Sequence, residues 1–193
     1  DPISKKIKSV NTIVNNNGKL KGYNTDVVGA YHSLKKICNN SDDKVLILGS
    51  GGVVRSILEA LKKIQIKKIF LSSRNSKSAH ILKNEFKIDL IPWEERNEFD
   101  GDLLINATPI GMNIIDSTPI TENNIQNFKK IMDVVVTAKN TKLIEIALKN
   151  NSEITDGKTM SLYQAAEQFR LYTGMEPPID IMKRALVDYY GEM

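Results

Sequence analysis

The segment Lys44-Val-Leu-Ile-Leu-Gly-Ser-Gly-Gly-Val-Val-Arg55 constrains the fold of this chain more than any other. Val45 to Gly49 is an apolar run ending in glycine and reads as a short buried strand. From Gly51 to Ile64, the residues Val54, Ile57, Leu58, Leu61 and Ile64 recur at three- and four-residue spacing, which predicts an amphipathic helix. The turn between them, Gly49-Ser50-Gly51-Gly52, has two readings. As a plain βα turn it needs glycine only for its dihedrals. As a nucleotide site, its bare backbone lets a pyrophosphate reach the main chain, and the helix start offers unpaired N–H groups and about half a positive charge. Val54 stands where G-x-G-x-x-G has its third glycine, so the motif is incomplete. The strand before it and the helix after it favour the nucleotide site.

The pattern repeats downstream. Strands are expected over 67–73, 88–91, 102–108 and 131–136, with a last short one at Ile154-Thr155. Helices are expected over 76–86, 120–128 and 141–150, then over 160–172 and from Ile179 onward. Strands alternating with helices predict an α/β fold, a Rossmann-like doubly wound parallel sheet covered on both faces. Ligands in such sheets sit beyond the carboxyl ends of the strands. The loops at Gly49–Gly52, Ser73-Arg74 and Asn106–Met112 all occupy that position. The first 25 residues differ. Two short strands flank Asn15-Asn16-Asn17-Gly18, a hairpin turn signal. A lone hairpin is marginal, so the chain is expected to begin inside a domain. Thr25 or Asp26 then reads as the N-cap of a helix through Val27, Val28, Tyr31, Leu34 and Ile37. Asn39 to Asp43 is a polar linker.

The second strand ends in Ser72-Ser73-Arg74-Asn75-Ser76-Lys77. An NAD site carries an acidic residue here for the ribose 2′-hydroxyl, and none is present. Arg74 can pair with a 2′-phosphate through two N–H groups, with Ser73 as a further donor, so the pattern favours NADP. The bland alternative makes Arg74 a surface arginine beside a helix cap. The formal charge of +4 comes from lysines scattered on expected helix faces and strand entries, and argues against a nucleic-acid partner. The single cysteine, Cys38, is expected to be buried. No run approaches the roughly 20 apolar residues of a membrane span, and no signal peptide is evident. His32 and His80 lack metal-ligand spacing, so no metal is expected. These features point to a cytoplasmic protein.

Val10-Asn11-Thr12, Gly22-Tyr-Asn-Thr-Asp26 with Gly29, Gly49-Ser-Gly-Gly52 with Arg55, Asn106-Ala-Thr-Pro-Ile-Gly-Met112, and Gln164-Ala-Ala166 with Phe169 occur in this order. Together they resemble the shikimate dehydrogenase family, which reduces 3-dehydroshikimate to shikimate with NADPH in aromatic amino-acid biosynthesis. The resemblance implies the remnant of an N-terminal α/β substrate domain over 1–26 and a connecting helix and linker over 27–42. It further implies an NADP-binding domain over 43–157 and C-terminal helices returning to the substrate domain over 158–193. It implies that Asp26 is catalytic, working with a lysine, and that Asn11 and Gln164 bind substrate. The implied cofactor residues are Gly49, Ser50, Gly51, Gly52, Ser73, Arg74, Asn106, Thr108 and Met112. The family's lysine and its carboxylate-holding serines are expected upstream of residue 1. Val136 stands where the family usually has a tyrosine, and Thr159 where it has a glycine. A quinate-oxidising relative using NAD, and a non-catalytic nucleotide-binding module, remain the alternatives. A homodimer and an upstream fused shikimate-pathway domain stay open.

Overall fold

The computed structural model describes residues 1–113 and 117–190. Helix α1 (Pro2–Ile7) leads into an antiparallel hairpin of β1 (Thr12–Asn16) and β2 (Lys19–Tyr23). Helix α2 (Asp26–Ile37) crosses to the sheet, whose strands are β3 (Lys44–Leu48), β4 (Lys68–Ser72), β5 (Asp89–Ile91), β6 (Leu103–Asn106), β7 (Lys130–Asp133) and β8 (Glu153–Asp156). Between them run α3 (Gly52–Ile64), α4 (Ser76–Phe86), α5 (Glu122–Ile125) and α6 (Lys142–Lys149). Two helices, α7 (Gly157–Thr173) and α8 (Ile179–Tyr190), close the described chain.

All neighbours in the six-stranded sheet are parallel, in the order β5-β4-β3-β6-β7-β8. The order reverses between β3 and β6, the doubly wound arrangement expected from the alternating pattern. Period-two alternation makes it two-faced. Val45 and Ile47 of β3 point into one core with Leu34 of α2, Ile57 and Leu61 of α3 and Leu82 of α4. Leu46 and Leu48 point into the other, with Ile125, Phe128, Leu143 and Ala147. A strand buried on both sides needs a continuous apolar run, and Val45 to Leu48 supplies one.

One element is added and two expectations are corrected. Residues 2–7, for which no element was expected, form α1: Pro2 sits in its first turn, and the Asp1 carboxylate accepts from Ser4 N at 2.8 Å. It is held to α3 by the Lys6–Glu59 ion pair at 2.7 Å. The strand expected over 131–136 stops at Asp133, because the Asp133 side chain takes the Val135 N–H at 3.1 Å and turns the backbone. Helix α7 starts at Gly157 rather than 160, with Asp156 capping it through Thr159 N at 2.9 Å. A Cβ on Gly157 would lie 2.5 Å from the Val134 carbonyl, so only glycine lets α7 begin against the end of β7.

Candidate functional site

The reversal between β3 and β6 leaves a crevice that no crossing helix fills. After β3, Gly49 takes a φ of 106°, and a Cβ there would lie 2.7 Å from the Ala107 carbonyl of the β6 loop. Both facts require glycine. Gly51 and Gly52 instead face open space, and α3 begins without a side-chain cap. In its first turn Val54 N donates to the Gly51 carbonyl at 3.1 Å, which leaves the N–H groups of Gly52 and Val53 to solvent or to a ligand. A cavity of about 480 Å³ lies over them, walled by the loops after β3, β4 and β6.

The β4 side of the cavity carries Ser73, Arg74, Asn75 and Trp93, with no carboxylate in the lining. The Ser50 and Ser73 hydroxyls share a hydrogen bond of 2.8 Å, which ties the glycine bend to the end of β4. Asn75 caps α4 by accepting from Ser78 N at 3.0 Å. The cap duty therefore falls on Asn75, and Arg74 extends from the exposed residue before it. Open glycines, a helix start and a guanidinium that no carboxylate pairs with among the described residues form a donor set suited to a polyanion.

The β6 loop is shaped from below. Asn106 is fully buried and does not line the cavity. Its Oδ1 accepts from Thr108 N at 3.1 Å and Thr108 Oγ1 at 2.7 Å. Its Nδ2 donates to the Ile110 carbonyl at 3.1 Å and to Asp133 Oδ1 at 2.9 Å. Thr141 Oγ1 donates to the other Asp133 oxygen at 2.6 Å. Burial pushes the Asp133 carboxyl up to about 6, against the pull of the Thr141, Val135 and Asn106 bonds, with Asp156 adding to the rise. Thr108 lines the cavity, whereas Met112 has an exposed side chain outside the lining. Sequence reading missed Asp133 and Thr141. A carboxylate directly after the buried pair Ile131-Met132 was the available signal.

Asp26 opens α2, and Thr25 holds the N-cap position, its carbonyl accepting from Gly29 N at 3.0 Å, but neither side chain supplies the cap bond. Thr25 already has helical dihedrals and makes no side-chain cap bond. That bond comes from Asn24, one residue earlier, whose Oδ1 accepts from Val27 N at 3.2 Å and from Ser56 Oγ at 3.1 Å. Ser56 lies one turn into α3, so Asn24 joins the entry of α2 to the helix that follows the glycine bend. The Asp26 carboxylate instead accepts from Asn11 Nδ2 at 2.8 Å. Burial raises its pKa from the usual carboxylate range, and the Asn11 bond opposes the rise. Asn11 is itself fixed, because its Oδ1 accepts from Thr25 N at 2.9 Å.

Gln164 comes from α7. A Cβ on Gly29 would lie 2.5 Å from the Met160 carbonyl and 3.4 Å from Gln164 Cβ, so glycine permits the close crossing of α2 and α7. Asn11 thus bonds Asp26 at the start of α2, and Gln164 packs against Gly29, one turn further along the same helix. Asp26 does not line the 480 Å³ cavity. The two groups of residues are connected through the Asn24–Ser56 bond. Among the described residues no group of three His, Cys, Asp or Glu is placed to hold a metal ion, and no helix is long and apolar enough to cross a membrane.

Residues 157–187 match the model of the shikimate 5′-dehydrogenase C-terminal domain. The chain is 40% identical over 183 residues to the shikimate dehydrogenase (NADP(+)) of Pelagibacter ubique, covering 94% of this chain and 68% of that protein. It is 37% identical over 168 residues to the enzyme of the same name from Clostridium beijerinckii, covering 84% of this chain and 60% of that protein. Among solved structures, shikimate 5-dehydrogenase from Thermus thermophilus in complex with NADP(H) and shikimate superposes with a TM-score of 0.84 at 28% identity. That match covers 97% of this chain and 71% of the other.

Proposed function

The chain belongs to the shikimate dehydrogenase family, and we propose that it takes part in the NADPH-dependent reduction of 3-dehydroshikimate to shikimate. On this reading residues 43–157 are the cofactor domain. Residues 1–26 and 158–193 belong to the substrate lobe, and 27–42 connect the two. The Gly49–Gly52 bend and the start of α3 hold the diphosphate, Ser73 and Arg74 the adenosine 2′-phosphate, and Thr108 the opposite wall. The nicotinamide, when bound, supplies the hydride. Asn106 acts through Thr108, as a support of that wall.

The chain's own chemistry concerns the proton. Reduction of a ketone builds negative charge on its oxygen, and a positioned proton donor raises the rate by about 10²–10⁴-fold. Asn11 Nδ2 takes one Asp26 oxygen and orients the carboxyl, and the other oxygen is left to face a substrate hydroxyl. Burial keeps the carboxyl more basic than a solvated one, which suits a group that shares a proton. Asn11 and Gln164 are placed to donate to substrate hydroxyls beside it.

The strongest support is the donor set at the end of β4, where Arg74 faces the cavity and no carboxylate lines it. Isothermal titration with NADPH and NADH tests it. Wild-type protein is expected to prefer NADPH. Arg74→Ala should weaken NADPH by at least about tenfold and leave NADH nearly unchanged; a parallel loss of both rejects the clamp. In the full-length enzyme, Asp26→Asn should lower kcat by about 10²–10⁴-fold with NADPH affinity retained. Equal loss of turnover and cofactor binding would reject the catalytic role.

A further inference from the structure

We propose that Trp93 is a positioning residue for cofactor specificity: its indole, pinned from the protein side by Arg96, holds the Arg74 guanidinium at the cleft mouth, ready for a 2′-phosphate. The inference rests on the reading of the cleft as an NADP site.

Trp93 follows Pro92 at the end of β5 and precedes a 3₁₀ turn over Glu94–Asn97, so the sheet edge carries its backbone. Its ring packs partly against the core on the α5–α6 face. Arg96 touches it twice and is itself anchored once. The guanidinium carbon lies 4.1 Å from the indole centroid, Nη1 donates to the Trp93 carbonyl at 2.6 Å, and Nε donates to the Pro119 carbonyl at 2.8 Å. Those bonds leave Arg96 committed to the protein.

Arg74 has the opposite character. Among the described residues no carboxylate pairs with it, and its guanidinium carbon lies 5.9 Å from the same indole, near the outer limit of a cation–π contact. Trp93 and Arg74 both line the dinucleotide cavity, and both line a neighbouring cavity of about 570 Å³ beside α4. They form the wall between the two spaces. The two guanidiniums also sense each other: burial lowers Arg96 from its ordinary value, Glu94 opposes the shift and Arg74 adds to it. A long arginine side chain ordered before the ligand arrives loses less rotamer freedom on binding. Its bidentate bond requires a phosphate at the ribose 2′ position. The effect of Trp93 therefore belongs in the ratio of affinities for ligands with and without that phosphate, rather than in affinity common to both.

Adenosine 2′,5′-bisphosphate and 5′-AMP differ only in that group, and calorimetric titration of both reads the ratio. Trp93→Leu should reduce the preference for the bisphosphate over 5′-AMP by about threefold to tenfold. Trp93→Phe, which retains an aromatic face, should recover most of the preference and guards against a folding defect. In an Arg74→Ala background, Trp93→Leu should cause no further loss, because the effect passes through Arg74. Equal weakening of both ligands by Trp93→Leu, or an added loss in the Arg74→Ala background, overturns the proposal. If wild-type protein lacks the 2′-phosphate preference, the NADP reading falls and this inference with it. A wild-type preference that Trp93→Leu leaves intact removes this inference alone. The chain has a single tryptophan, so quenching of its fluorescence by the bisphosphate gives an independent signal.

Discussion

The central sheet and the hairpin–α8 region solve the burial problem in opposite ways. In β3 and β6 nearly every residue is buried, and each strand feeds side chains to both cores. In the hairpin, Ile13 and Leu20 are exposed, Leu20 at 71%. Helix α8 buries no residue at all, and it displays Ile181 and Tyr189, the latter 79% exposed. The sheet is a finished core. The other region is an amphipathic surface whose apolar side stays open within the described chain. The difference teaches that, on the proposed function, stability and substrate chemistry are placed on separate ground. The 480 Å³ cavity sits at the edge of the sheet core, while Asn11 reaches Asp26 from the start of the hairpin.

Substitutions can break or sharpen that contrast. The largest effect is expected in the sheet: Leu104→Ala, fully buried in β6, should cost about 2–5 kcal/mol in urea unfolding. A loss under about 1 kcal/mol would mean that the sheet is not the dominant core. Gly49→Ala comes next. Its φ of 106° and the close Ala107 carbonyl predict a cost of about 1–3 kcal/mol, together with loss of dinucleotide affinity in titration.

A pH-dependent effect follows from Asp133. Its folded pKa of about 6 lies above the ordinary 3.8, so the folded state binds the extra proton between those values. Its contribution is present below the lower value and is lost as pH rises through the upper one. Melting temperatures of wild type and Asp133→Asn should therefore converge, or cross in favour of the variant, as pH rises through this window. A constant difference would sink the assignment. The smallest effect is expected on the open surface: Leu20→Ser should shift the unfolding free energy by less than about 0.5 kcal/mol. A loss comparable to that of Leu104→Ala would show that Leu20 is covered in solution.

The glycine bend and its flanking strand and helix were legible because each depends on residues near in sequence. The three- and four-residue spacing of Val54, Ile57, Leu58 and Leu61 announces α3, and all four are buried. Helix α1 escaped because it is a single short segment with Ile7 as its one buried apolar residue. Asp26 looked like a helix cap because the local pattern could not reveal that Asn24 would take the duty. Asn106 was legible as a strand-end residue of the cleft, but its burial beneath Thr108 was not.

The amino-acid order by itself determined the alternation of strands and helices, the turn that only glycine can make, and the absence of a carboxylate after β4. These are matters of local sterics, hydrophobic period and charge. The tertiary structure alone decided which polar groups meet. Asn24 and Ser56 are 32 residues apart, and Asn106 and Asp133 are 27 apart. Such pairs follow from helix packing for the first and strand order and register for the second, which local periodicity does not encode, and they shape the cleft and link it to Asp26.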